Sequence, residues 1–170
     1  MVLPTDYSFA DERAFREITF QWAIAWDKKE PATLESIAAP EIIVDLKELV
    51  PGGTVEAMTA KALAERTFAT YHLGDPRLKT QHMLGAVTFK RISESEATGD
   101  WQCRTLHTRN FDDGTAKDWD SCGYMEFRYV LIDGGWKLGG TRPHSIVNSS
   151  GNPMQVIGPF IDKMLADHQP

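Results

Sequence analysis

The sequence predicts an α+β fold, in which a curved and mostly antiparallel sheet is covered on its concave face by N-terminal helices. Three observations carry this. Around residues 10–29, Phe15, Ile18, Trp22, Ala25 and Trp26 recur at spacings of three and four, with Asp11, Glu12, Arg13, Arg16 and Glu17 near the other face, the pattern of an amphipathic helix. After about residue 78 the texture changes to runs rich in Val, Thr, Phe, Tyr and Trp, separated by turn residues. No Ser/Gly/Pro linker, low-complexity tract or internal repeat divides the chain, so residues 1–170 are expected to form a single domain. Helices first and strands afterwards is the order of an α+β layer fold, and a cone of this kind encloses a natural pocket.

The elements follow in order. Pro31 breaks the first helix, and Ala32–Ala39 reads as a second, short helix stopped at Pro40. The β-branched run Glu41–Leu46 predicts a strand, closed by Pro51-Gly52-Gly53. Thr54 is placed to cap a third helix running to about Tyr71, because its hydroxyl can accept from free backbone N–H groups of a first turn. Gly74-Asp75-Pro76 ends that segment. Strands are predicted over 78–92, 97–111, 117–132 and 135–143. The turns between them are Ser93-Glu94-Ser95-Glu96, Asp112-Asp113-Gly114 and Asp133-Gly134-Gly135, which tolerate hairpin geometry. The polar, turn-rich stretch 145–153 then predicts a mobile segment before apolar spacing returns over 154–165. The segment 145–170 is accordingly expected to be a C-terminal lid or interface segment, with Ile146, Val156 and Phe160 as its apolar contacts.

Composition narrows the function. The 170 residues are 42% hydrophobic, 10% aromatic and 25% charged, the balance of a globular chain. Acidic residues outnumber basic ones by 24 to 18 and no basic run interrupts them, which argues against a nucleic-acid partner. No apolar stretch approaches the roughly 20 residues of a membrane span, and Met1–Asp6 lacks a secretory pattern, so no membrane partner and a cytoplasmic location are expected. Cys103 and Cys122 are too few for a disulfide framework and are expected to be buried thiols.

Histidines are the residues best suited to proton transfer near neutral pH, and five occur, at 72, 82, 107, 144 and 168. His82 and His107 fall in well-patterned strands. Alternation puts His107 on one face with Cys103, Thr105 and Arg109, and a concave face would aim it into the pocket. Asp27 ends the aromatic helix beside Trp26, and a carboxylate bonded to a histidine would orient the ring and stabilise its protonated form. On spacing alone a hydrogen-bonded sheet histidine and a solvated helix-end aspartate remain the alternatives. Arg109 could anchor a substrate oxygen, and Asp120 and Ser121 could add polar groups. Tyr124 or Glu126 would join them only with a strand phase shifted by one. Trp101, Trp119 and Trp136 are read as sheet or core residues. A metal site from His82, His107 and a carboxylate is a further reading, without HxD or HxxxH spacing to support it.

The stretches Ala25-Trp26-Asp27-Lys28-Lys29, Ala39-Pro40 with Ile43-Val44-Asp45, Leu73-Gly74-Asp75-Pro76-Arg77-Leu78-Lys79-Thr80-Gln81-His82, and Ile132-Asp133-Gly134-Gly135-Trp136-Lys137-Leu138 occur in that order. Over about residues 12–145 the chain thereby resembles scytalone dehydratase, a family of fungal enzymes with an NTF2-like (SnoaL-like) cone. The resemblance implies that Asp27 hydrogen-bonds a catalytic His107, that His82 is the second active-site histidine, and that no metal or organic cofactor is needed. It implies elimination of water from a cyclic polyketide-derived hydroxyketone, and a homo-oligomer, a trimer in the family, with a dimer as the general alternative.

Departures accompany it. Trp26 and Leu46 stand where the family has two tyrosines that hold a water against the substrate carbonyl, and Gly123 and Met125 stand where it has a serine and an asparagine. Indole only donates and leucine does neither. The expectation is a divergent member of a fungal secondary-metabolite pathway that dehydrates a more hydrophobic, aromatic or polyketide-derived small molecule. Its substrate-binding set is Trp26, Leu46, Thr105, Arg109, Ser121, Gly123, Met125, Ile146 and Phe160. An isomerase or cyclase using the same groups, and a non-catalytic binding module, are the alternatives.

Overall fold

A computed structural model describes residues 7–49 and 52–167; the opening stretch Met1–Asp6, Pro51 of the expected turn, and His168 lie outside the described residues. The first helix, α1 (Phe9–Lys28), starts as its sequence requires. Ser8 accepts from the Asp11 backbone N–H, while the Asp11 carboxylate accepts from the Ser8 N–H. It ends at Lys29, which takes a left-handed conformation (φ 60°). Helix α2 (Pro31–Ile37) leads directly into strand β1 (Ala38–Asp45), which accommodates Pro40.

The segment after Gly53 departs from the expected single helix. Val55–Thr59 is a strand, β2, that pairs antiparallel with β1, and only Ala60–Thr67 is helical (α3). Thr59, five residues later than Thr54, accepts from the Ala62 N–H as the cap. The strand wins because β1 otherwise presents an unpaired edge, and hydrogen bonding along that edge outweighs the helix propensity of the residues before Thr59.

Strands β3 (Leu78–Ser93), β4 (Glu96–Asn110), β5 (Ala116–Ile132) and β6 (Gly135–Gly151) form the antiparallel meander. Among the described residues the sheet order is β2-β1-β6-β5-β4-β3, with β1 and β6 parallel. Strand β6 continues well beyond the expected end at Pro143. Its residues Asn148, Ser149, Ser150 and Gly151 pair with Cys122, Ser121, Asp120 and Trp119 of β5. The stretch expected to be mobile is therefore sheet up to Gly151, because pairing with β5 overrides its turn-like composition. Helix α4 (Pro153–Asp167) follows.

Two apolar clusters fill the interior. The larger packs α1 (Phe15, Ile18, Trp22) onto Phe127, Tyr129 and Leu138 of the sheet. Its polar insert is satisfied, since Thr19 Oγ1 lies 2.6 Å from the Tyr129 hydroxyl, which also accepts from Trp101 Nε1 at 3.2 Å. The smaller cluster joins Leu73, Leu78 and Trp119 to Val156, Ile157, Phe160 and Ile161 of α4.

Candidate active site

The cone holds a predominantly apolar pocket between the two clusters, and the alternation of β4 and β5 decides what faces it. Cys103, Thr105 and His107 of β4 line it, as do Ser121, Gly123 and Met125 of β5, the faces expected from a period of two. Gly123 sits where β5 and β6 slip register between Cys122 and Tyr124, and a side chain there would press on the backbone of Ser145 and Ile146 at about 3.0 Å. The irregularity also brings Cys122 and Tyr124 to the wall, so Tyr124 lines the pocket although the regular phase excluded it. Trp26 and Leu46 line it, together with Ile146 of β6 and Phe160 of α4. The cysteines are partly rather than fully buried, and burial pushes the Cys103 thiol up.

The carboxylate–histidine pair forms, with a different partner from the one expected. Asp27 accepts from His82 Nδ1 at 2.7 Å and from the His82 backbone N–H at 2.9 and 3.1 Å; it does not bond His107. The end of α1 faces β3, not β4, and His82 lies on the nearer strand. Because the carboxylate can only accept, Nδ1 of His82 carries the proton and Nε2 is the nitrogen able to take one. The His82 side chain is 6% exposed and Asp27 22%, so the dyad is shielded but its carboxylate still meets water. The rings of Trp22 and Trp26 stand edge-on to His82 at 4.7 and 5.8 Å and fix its plane.

His107 lies across from this dyad, with its ring centroid 6.3 Å from that of His82. Its ring stacks on Trp119 at 4.8 Å and 20°, so Trp119 is a pocket residue as well as a core one. Burial, with the neighbouring His82 and His72, pushes the His107 imidazole down to about 3. It is therefore neutral at physiological pH, with one N–H donor and one acceptor.

Arg109 shares the face of His107 but does not line the pocket, which corrects the expected substrate anchor. It is 6% exposed and spent on structure. Its Nη1 donates to Asp75 Oδ2, and its Nε donates to the Val156 carbonyl of α4, both at 2.5 Å. Asp75 in turn receives Arg77 from the other side. Hydrogen bonds from Arg77, joined by those from Arg109, hold the Asp75 carboxyl well below the usual carboxylate range. Val156, expected in the lid, is buried in the smaller cluster, whereas Ile157 beside it reaches the pocket. Asp120 pairs with Arg104 and Glu126 with Arg142, so neither serves the pocket. His144 pairs with Asp100 and is not a lining residue.

Several lining residues were not singled out from the sequence, among them Trp22, Val44, Leu49 and Thr141, and one of them is a histidine. His72 is 6% exposed, stacks face to face on Phe160 at 4.0 Å and 15°, and stands edge-on to Trp26 at 6.1 Å. Burial, helped by the nearby Arg66 charge, pushes it down to about 3. No periodic signal marked it, because it lies in the irregular link between α3 and β3. Among the described residues no group of three or more His, Cys, Asp or Glu side chains is arranged to hold a metal ion, and no helix is long and apolar enough to cross a membrane.

Comparison with known proteins agrees with this architecture. Solved structures with the same fold include a hexachlorocyclohexane dehydrochlorinase from Novosphingobium barchaimii. It is 15% identical, with a TM-score of 0.64 over 84% of this chain and 90% of that one. A dehydratase of Aspergillus candidus is 31% identical over 156 residues, 88% of this chain and 90% of its own length. The scytalone dehydratase of Pyricularia oryzae is 30% identical over 142 residues, 81% of each chain. A sequence-family model described as scytalone dehydratase matches residues 6–150. By sequence across most of its length and by fold, the chain belongs to the scytalone dehydratase family.

Proposed function

We propose that this chain is a dehydratase of fungal secondary metabolism that removes water from a cyclic, polyketide-derived or aromatic hydroxyketone by acid/base chemistry of its own side chains, without an organic cofactor or metal. The observation that carries the reading is the Asp27–His82 dyad on the wall of an apolar pocket, with a neutral His107 across from it. The roles follow the observed pairing. Asp27 orients His82 and stabilises its protonated form, and His82 Nε2 takes the proton from the carbon beside the substrate carbonyl. The C–H electron pair becomes the new double bond through an enolate, which forms opposite the neutral His107 ring. The C–O bond to the hydroxyl then breaks, and the proton held by His82 leaves with it as water. Aromatic walls from Trp22, Trp26 and Trp119 exclude solvent and suit a planar ring.

On this reading residues 1–170 work as one domain, with α4 as the roof of the pocket. The chain is proposed to act as a homo-oligomer in the cytoplasm. The test is metabolite analysis of the producing strain carrying His82→Ala. An accumulated intermediate heavier than the normal product by one water is expected. Accumulation of an isobaric intermediate would replace dehydration with isomerisation or cyclisation, and an unchanged profile with folded protein present would remove the catalytic assignment.

A further inference from the structure

Five buried side-chain polar atoms lack a hydrogen-bond partner within the protein among the described residues. They are Trp26 Nε1, His72 Nδ1, Thr80 Oγ1, His107 Nδ1 and Arg109 Nη2. At the heart of the larger cluster, by contrast, the buried polar groups of Thr19, Tyr129 and Trp101 are paired with one another. A buried polar atom left without a partner costs about 1–3 kcal/mol, so a concentration of them marks a place built to receive a polar group.

Three of the five belong to residues that line the pocket, Trp26, His72 and His107, and the first two are in edge-on contact with each other. Their chemistry is complementary. Indole Nε1 can only donate. His72 is held neutral by burial, its ring N–H is directed to the Arg66 backbone, and its unpartnered Nδ1 therefore offers a lone pair. A hydroxyl is the small group that meets both demands, since its oxygen accepts from the indole while its proton is available to an imidazole lone pair. A carbonyl or ether oxygen could meet only the indole donor. His72 is also fixed in place, sandwiched between Phe160 of the roof helix and the edge of Trp26, and such a rigid acceptor loses little freedom on binding.

We propose that Trp26 and His72 form a hydroxyl-binding subsite at the α4 end of the pocket, and that it selects ligands carrying a phenolic or alcoholic hydroxyl on an apolar ring. The inference rests on the reading of this pocket as a small-molecule site and adds a specificity-determining residue, His72, to it. Here His72 binds and positions; it moves no proton in the elimination. The subsite also supplies polar contacts on the side of the pocket where Trp26 and Leu46 provide no phenol.

Calorimetric titration with 1-naphthol and 1-methoxynaphthalene tests it, because the two probes share the ring and differ in the hydroxyl proton. The wild-type chain is expected to bind 1-naphthol about tenfold more tightly, the effect of roughly one net hydrogen bond. His72→Phe keeps the ring and the stack on Phe160. It is expected to erase the preference by weakening 1-naphthol while leaving 1-methoxynaphthalene unchanged. His72→Asn, which restores a polar atom near Nδ1, is expected to recover part of the preference. A preference that survives His72→Phe would place the hydroxyl at His82 or His107 and overturn the proposal. So would equal weakening of both probes, which would reduce His72 to packing, or a wild-type chain that does not discriminate. The His82→Ala metabolite experiment reads dehydration separately, so the subsite can fail while the dehydratase reading stands, and the reverse.

Discussion

The two apolar clusters of this molecule are built from similar residues and treat polar atoms in opposite ways. In the larger, under α1, Thr19, Tyr129 and Trp101 complete one another's hydrogen bonds inside a stack of Phe15, Phe89 and Tyr129 rings. Toward the smaller, under α4, His72, His107 and Arg109 each retain a buried atom without a protein partner. A satisfied core specifies the fold, whereas an unsatisfied one holds binding capacity in reserve. The molecule thus pairs its buried polar groups under α1 and leaves unpaired ones toward the pocket and α4.

The largest expected effect tests the pocket. Asp27→Asn keeps the shape of the dyad but removes the negative charge that stabilises protonated His82. Turnover should fall by about 10²–10⁴-fold while denaturant unfolding stays close to wild type. A parallel loss of stability would make Asp27 a structural residue instead. Next in size, Arg109→Met removes one partner of a buried ion pair and the tie to Val156. About 3 kcal/mol should be lost in urea unfolding, and α4 should gain protease sensitivity before α1 does. Equal sensitivity of both helices would dissolve the distinction between the two clusters.

A smaller effect concerns acid. The Asp75 carboxyl is held low by Arg77 and Arg109. Its stabilisation is therefore fully present above the unfolded carboxylate value near about 4, and it is lost as pH falls from there toward the depressed folded value. Urea midpoints taken downward from neutral pH should fall more shallowly for Asp75→Asn than for wild type in that range. Identical slopes would show that this carboxylate does not govern the acid limb. The smallest expected change belongs to the satisfied core. Thr19→Val leaves the Tyr129 hydroxyl with Trp101 alone and should cost about 1 kcal/mol of stability without altering turnover. A change in turnover would show that the two clusters communicate.

The division also explains what was legible in the sequence. Helix α1 and strands β3, β4 and β5 carry their own periodicity, so alternation put Cys103, Thr105 and His107 on one face and the resemblance pointed to Gly123 and Met125, and all five line the pocket. Features that depend on distant neighbours were not legible. Residues 145–151 carry turn-like Ser, Asn and Gly, and only pairing with β5 makes them strand. Val55–Thr59 becomes strand because β1 needs an edge partner. Arg109 had the correct face and the wrong use, since the Asp75 that claims it lies 34 residues away. Asp27 was expected at His107 by resemblance, and the observed geometry gives it to His82 on the nearer strand.

Arg109 stands two residues from His107 on the same face of β4, and its guanidinium grips the roof helix at Val156. Strand and roof therefore act as one lever. Whatever lifts α4 slackens the hold on the strand that carries His107, and whatever seats α4 draws that hold tight. Affinity and local rigidity become two readings of the same contact, so a well-fitting ligand should announce itself as slowed amide exchange along 153–167 even where the rest of the sheet shows no change.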